Sequence, residues 1–539
     1  MKQRSRFAQP QYAWLVCITL LITGARGFAT VHALLYTGAV HGADSSRSPY
    51  HQLADRIAEL LSNTQLRTTR YGLCVYSLDR DTTVFARGIH ELLTPASLTK
   101  LYYTAAAFAT MGPDYPVRTV VVTDGKINRG IIDGNVYLVG YGDCLLTNTD
   151  IEALADKLRS LGIRRIRGAI VADATYFDAV SDRQEYSGDT ERMENLPPIT
   201  ALGMDRNTLT VIITRGNRGR VRVHTVPRSS SIVVDWSPLP LVSPRQQERR
   251  SWHTQRHGDR IVLRQRPRKR QVRTSAQTVR ISSTLRRDGV QDIHVFGMPR
   301  ANSSTSFSVV MLNPPLTTAG VLLRCLDASG ITVEGGVTSG QAPQGAIELL
   351  SWERPLHALV DVCNKNSDNF VAEHIMKIVG SHCCGNSACN INAYHTVVGL
   401  LDSLGIPSSA CTLYDGSGLS RRNRVTTASL MKLLQYCARQ SWGDRYFQTL
   451  AIAGTEGTLL RRMRRTVAEN NLAAKTGTHR NVSGLAGIVR AQSGERFLFA
   501  ALWNGNNVGL YKRLENQLGE LLAGFGNWLD PASDASQRE

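Results

Sequence analysis

Thr94-Pro95-Ala96-Ser97-Leu98-Thr99-Lys100, running on into Leu101-Tyr102-Tyr103-Thr104-Ala105-Ala106-Ala107-Phe108, sets a serine and a lysine three residues apart at the head of an alanine-rich run. Proline near the start and strong helix formers after it predict Ser97 in the first turn of a helix. At that spacing Ser97 and Lys100 share a face. Free N–H groups and the dipole at a helix start favour negative charge, which suits a serine alkoxide and the oxyanion that follows attack. Serine needs a base, and Lys100 serves only if neutral. Lowering an amine from about 10.4 toward 7 to 8 takes roughly 3 to 4 kcal/mol, which burial beside a second cation supplies. S-x-x-K alone is too common to decide a function.

Outward from it lie two more elements. Ser367-Asp368-Asn369 precedes the helical run Phe370-Val371-Ala372-Glu373. Its hydroxyl can relay a proton and its amide can hold substrate and lysine, although Ser, Asp and Asn are also ordinary helix caps. Lys475-Thr476-Gly477-Thr478 falls in a strand-like stretch. A charged Lys475 can bind a carboxylate, Thr476 can add a hydroxyl, Gly477 leaves room for a ligand along the backbone, and the Thr478 N–H can serve an oxyanion.

In this order, Ser97-x-x-Lys100, Ser367-x-Asn369 and Lys475-Thr476-Gly477 resemble the motif set of penicillin-recognising serine acyl-enzymes. Ser97 and Ser367 lie 270 positions apart, Ser367 and Lys475 108 apart. The long first gap, with Gly134 to Asp143, Ala201 to Asn207, Asp415 to Ser420 and Gly454 to Leu459, is similar to class C low-molecular-mass penicillin-binding proteins, the D-alanyl-D-alanine carboxypeptidase/endopeptidase family. The likeness runs from about Leu53 to Phe525; Cys144 departs from it, standing where relatives commonly have proline.

The resemblance implies an α+β fold: a transpeptidase-like core of antiparallel sheet flanked by helices, a helical subdomain, and a β-rich insert between the first two motifs. It implies a serine D,D-peptidase acting on stem peptides that end in D-Ala-D-Ala, with carboxypeptidase and endopeptidase action both open, and β-lactams as covalent inhibitors. Ser97 would be nucleophile, Lys100 base, Ser367 proton relay, Asn369 positioning group, and Lys475, Thr476, Gly477 and Thr478 the substrate-lining strand, with no metal or cofactor. The alternatives are a β-lactamase, against which no E-x-x-L-N occurs between Asn369 and Lys475, and a non-catalytic peptidoglycan-binding protein of the same fold.

Composition agrees. The 539 residues are 42% hydrophobic and 20% charged, which excludes a disordered or collagen-like chain. Arg70 to Leu78 and Thr82 to Arg87 read as a hairpin, and Leu472 to Thr478, Val482 to Arg490 and Arg496 to Trp503 as three strands, with the first strands expected to join the last. Helical patterning at Leu53, Ile57, Leu60 and Leu61, and again at Leu510, Leu514, Leu518 and Leu522, flanks them. The expected division is 44–116 with 309–530 as peptidase, 117–308 as insert and 531–539 as a polar tail. Residues 1–43 are expected to be an export signal and N-terminal tail, with Lys2, Arg4 and Arg6 ahead of a short apolar run, and the expected location is the periplasm or cell envelope. More than half of the +19 net charge sits in residues 245–287, where thirteen arginines and Lys269 face only Glu248 and Asp259. For that block export favours an anionic envelope polymer over nucleic acid as partner, the alternative being a solvated or partly disordered loop with no partner. Cys383, Cys384 and Cys389 lack paired C-x2-C knuckles, so a loop disulfide is expected there before a metal.

Overall fold

The computed structural model describes residues 48–191, 194–217, 219–238, 253–257, 260–264, 279–385 and 389–526. The expected export signal, the 531–539 tail and most of the Arg-rich block lie outside them. Its helices run, in chain order, α1 (Pro49–Leu60), α2 (Thr99–Met111), α3 (Asn148–Ser160), α4 (Arg183–Ser187), α5 (Pro314–Ala328), α6 (Leu356–Lys365), α7 (Asn369–Cys384), α8 (Cys389–Ser403), α9 (Thr427–Arg439), α10 (Gly443–Gln448) and α11 (Val508–Ala523). Among the described residues, no helix is long and apolar enough to cross a membrane.

The two ends of the chain build one antiparallel sheet. Its strand order is Thr82–Arg87, Arg70–Ser77, Arg496–Asn504, Val482–Arg490, Leu472–His479, Ala451–Ile452. The first strand pairs with the last as expected, Tyr71 opposite Trp503 and Val75 opposite Phe499. Side chains alternate between faces, so Leu73 and Val75 join the core beneath α1 and α11 while Cys74 and Tyr76 join the core around α2. With both faces covered, the central strand reads as the unbroken apolar run Phe497-Leu498-Phe499-Ala500-Ala501-Leu502, all fully buried. Every residue of α2 from Thr99 to Phe108 is buried, and a helix apolar all round belongs at a centre. Helices α6 to α10 pack about it.

The segment between the first two motifs is β-rich, as expected. One five-stranded sheet runs Val337–Ser339, Ile170–Asp173, Val136–Gly140, Pro116–Thr123, Ile347–Pro355, and two three-stranded sheets follow. Its far boundary differs from the expected 308. Ile347–Pro355 pairs antiparallel with Pro116–Thr123, so the chain finishes the insert's sheet before returning at Leu356. The helical texture at Thr318 to Leu326 misleads because α5 buries Val321, Leu322 and Leu326 against Ile151, Leu154 and Leu158 of α3, inside the insert. Within the Arg-rich block the described part is a hairpin, His253–His257 with Arg260–Arg264, and the strand Arg280–Leu285.

The expected loop disulfide does not form. Cys383 and Cys384 are exposed and free, while Cys389 is buried and free, its sulfur meeting the Ser381 hydroxyl at 3.1 Å and the Asp178 N–H at 3.2 Å. Cys389 begins α8, and among the described residues no thiol faces it. Among the described residues no cluster of His, Cys, Asp and Glu could hold a metal ion.

Candidate active site

Ser97 lies in a 3-10 turn, Ala96–Leu98, that leads directly into α2. Ala96 is held at φ +49, a left-handed conformation costly for a residue with a Cβ. The turn is thereby wedged against the sheet. A Cβ on Gly477 would stand 2.7 Å from the Pro95 carbonyl oxygen and 3.3 Å from Leu98, so this glycine admits the Ser97 turn to the strand. That corrects the sequence reading, which left the space for a ligand. Gly418 performs the same service from the other side: it sits at φ +82, and a Cβ there would come within 2.0 Å of the Ala96 carbonyl oxygen.

Lys100 is fully buried, with Nζ 3.0 Å from Ser97 Oγ, 2.8 Å from Asn369 Oδ1 and 2.5 Å from the Ser417 carbonyl oxygen. A neutral amine has two N–H donors and one lone pair. If Asn369 and Ser417 take the donors, the lone pair is left facing the Ser97 hydroxyl. Burial lowers the pKa of Lys100 from the ordinary lysine value, and Cys363, Asp415, Glu373 and Asp368 oppose that only in part. The second motif enters from α7, where Asp368 is the residue that caps the helix, accepting from the Val371 N–H at 3.0 Å. Asn369 spans the cleft, its Nδ2 donating to Glu194 at 2.5 Å. Half-buried Ser367, at φ +58, lines a cavity of about 290 Å³ with Glu194, Arg206, Asp368, Asn369 and Phe370.

The third motif lies on the Leu472–His479 strand. Lys475 is fully buried and donates to the Thr476 carbonyl at 3.0 Å; the Thr476 hydroxyl donates to Thr458 at 2.9 Å, and Thr478 is exposed. Burial pushes Lys475 well below the lysine range, and the charge of Lys100 pushes it further. The sequence reading had Lys475 keep its proton, and in the empty cleft both effects oppose that.

Sequence reasoning missed the layer behind Lys100. Glu373 accepts N–H bonds from Gly416 at 3.0 Å and Ser417 at 2.9 Å, and Asp415 accepts from Gly418 at 3.0 Å and Ser420 at 2.8 Å. Burial, then the Asp415 charge, raises the pKa of Glu373. Cys363 lies fully buried close to both amines, its thiol pushed up to about 12 by burial. His479 sits with a ring nitrogen 2.9 Å from the Gly418 carbonyl oxygen, and burial lowers its pKa. Two signals were available: Glu373 falls four positions after Asn369 on one helix face, and Asp415-Gly416-Ser417-Gly418 is a glycine-rich acidic turn.

Residues 53–238 and 244–524 match the sequence profile of the family described as "D-Ala-D-Ala carboxypeptidase 3 (S13) family". The chain is 29% identical over 508 residues, 90% of this chain and 89% of the relative, to a D-alanyl-D-alanine carboxypeptidase of Actinomadura sp. (strain R39). It is 26% identical over 419 residues, 77% of this chain and 81% of the relative, to the D-alanyl-D-alanine carboxypeptidase DacB of Haemophilus influenzae. The fold is similar to the crystal structure of penicillin binding protein 4 (dacB) from Haemophilus influenzae, with a TM-score of 0.65 and 22% identity, covering 86% of this chain and 99% of that one.

Proposed function

Since the chain belongs to the D-Ala-D-Ala carboxypeptidase 3 (S13) family, we propose a mechanism in which Ser97 is acylated by the penultimate residue of a stem peptide ending in D-Ala-D-Ala. The protein is a serine-type D-Ala-D-Ala carboxypeptidase. Cell-wall substrate means action outside the cytoplasm, and we place it in the periplasm or cell envelope. The observation that carries the mechanism is the 3.0 Å contact between Ser97 Oγ and the Nζ of fully buried Lys100, whose pKa burial lowers.

Lys100 Nζ takes the hydroxyl proton as Ser97 Oγ bonds to the carbonyl carbon of the scissile D-Ala-D-Ala bond. The oxyanion forms beside the backbone N–H of Thr478 and the 3-10 turn. On collapse the carbon–nitrogen bond breaks, and the proton passes from Lys100 through the Ser367 hydroxyl to the departing D-alanine amine. Water then attacks the ester carbonyl, giving its proton to Lys100, and as the carbon–Oγ bond breaks Lys100 returns that proton to Ser97 Oγ. A β-lactam acylates Ser97 by the same first step, but its leaving nitrogen stays tethered. Lys475 and Thr476 bind the terminal carboxylate, which supplies the countercharge Lys475 lacks in the empty cleft. A charged Lys475 in turn keeps Lys100 neutral. Endopeptidase action on cross-links uses the same steps with a larger leaving group.

D-alanine release from a D-Ala-D-Ala peptide, measured for wild type and Ser97→Ala, tests this together with mass spectrometry of the penicillin-labelled chain. Label on Ser97 and loss of release in the variant are expected. Label elsewhere, equal release, or rapid turnover of penicillin overturns the reading. For the Arg-rich block at 245–287 the proposal is an anionic envelope polymer, supported by its charge alone, and salt-insensitive binding to cell-wall sacculi would reject it.

A further inference from the structure

The insert lies along α7 through a row of polar contacts. Arg206 pairs with Asp368 at 2.8 Å, Glu194 meets Asn369, Tyr186 meets Glu373, and Asp178 pairs with Lys377. Two of the residues on α4 reach deeper than the rest. The Tyr186 hydroxyl donates to Glu373 Oε2 at 3.0 Å, and the Arg183 guanidinium, its side chain only 2% exposed, pairs with Asp189 at 2.6 Å and Asp415 at 3.1 Å. Arg183 is buried there although its Nε and Nη2 have no partner among the described residues. Such a placement is costly unless the contacts it does make matter.

Those contacts lead to the catalytic amine in few steps. Tyr186 bonds Glu373; Glu373 holds the Ser417 N–H; the Ser417 carbonyl accepts from Lys100. In parallel, Arg183 holds Asp415, which accepts from the Ser417 hydroxyl at 3.2 Å and from the N–H groups of Gly418 and Ser420. Asp189, at the end of α4, also accepts from the Ser420 hydroxyl at 2.7 Å. The loop Asp415 to Ser420 is thus held by two carboxylates, and both carboxylates are held by α4.

We infer that Arg183 and Tyr186 are positioning residues for Lys100: they fix Glu373 and Asp415, hence the Ser417 carbonyl, hence the direction of the amine's lone pair toward Ser97. The inference rests on the reading of Lys100 as base. It makes the insert part of the machinery that aims the nucleophile's proton acceptor, not merely an appended module.

Acylation by a fluorescent penicillin, followed across pH 5–10 with the full chain, tests it. The ionisable groups facing Lys100 are Lys475, His479, Cys363, Asp368, Glu373 and Asp415; those facing Glu373 are Tyr186, Arg183, Tyr103, Asp415, Cys363 and Lys100. Tyr186→Phe removes one oxygen atom. Without that donor Glu373 keeps its proton to higher pH, less negative charge faces Lys100, and the acid limb of the rate profile moves to lower pH. Misdirection of the lone pair lowers the plateau about tenfold to a hundredfold. Arg183→Met is expected to lower it further, and Arg228→Gln, an exposed change elsewhere in the insert, to leave both limb and plateau unchanged. A purely structural role would reduce the folded fraction without moving the limb. A Tyr186→Phe protein with wild-type rate and limb overturns this inference alone, whereas a Ser97→Ala protein that still takes label overturns the base reading and this inference with it.

Discussion

The two faces of the six-stranded sheet treat buried charge in opposite ways. On the face under α1 and α11, buried Glu515 is met directly by Arg462 at 2.9 Å and by the Ser483 hydroxyl at 2.7 Å, within a core of Leu53, Phe499, Leu514 and Leu518. On the face under α2 the amines of Lys100 and Lys475 are fully buried, the charge of Lys100 works against the proton of Lys475, and Lys475 has no carboxylate beside it among the described residues. A buried charge that lacks a direct partner lowers stability. The first face pairs its buried charge within the fold, and the second leaves Lys475 without a countercharge, which in the proposed mechanism the substrate carboxylate supplies.

The largest effect expected is at the unmet face. Ser97→Ala should lower D-alanine release by about four orders of magnitude or more and abolish penicillin labelling, with the melting temperature nearly unchanged. Phe499→Ala, on the opposite face, should cost about 3 to 5 kcal/mol in chemical denaturation while the folded molecules acylate normally. If both variants lose stability and activity together, the division between faces is wrong. Lys475→Ala should raise the KM for a carboxylate-ended substrate roughly tenfold to a hundredfold and affect an amidated substrate much less.

The amines also predict a pH dependence of stability in the empty enzyme. Their pKa values are lowered in the fold, so below the unfolded lysine value, about 10.4, the unfolded chain binds more protons than the folded one. Their contribution to stability therefore rises with pH from the lowered values toward that limit. Denaturant titrations at rising pH below about 10 should show that rise, and Lys475→Met should flatten it. The smallest effect belongs to the surface: Arg70→Ala breaks an exposed pair with Glu91, 2.8 Å apart, and should change stability by less than about 1 kcal/mol.

Much of this was legible in one dimension. Ser97 and Lys100 are neighbours on one turn, and alternation and helical spacing placed the terminal strands and helices, because those periods are properties of the local backbone. The end of the insert was not legible, since the apolar stripe of α5 says only that it packs and not against what. Gly477 was read as room for ligand because nothing local reveals that the Ser97 turn would occupy that space.

The sequence by itself determined the chemistry available: one serine, two lysines, a Ser-x-Asn and a glycine in a strand, in an order and spacing that resemble a single family. Only the tertiary structure decided which of these groups are buried and therefore in which direction burial moves each amine's pKa, since desolvation depends on the whole surrounding packing. It also decided that Glu373, Asp415 and the insert's Arg183 and Tyr186 stand behind Lys100. Those contacts are carried by loop N–H groups and by side chains far apart in the chain, and hydrogen bonds of that kind leave no periodic trace.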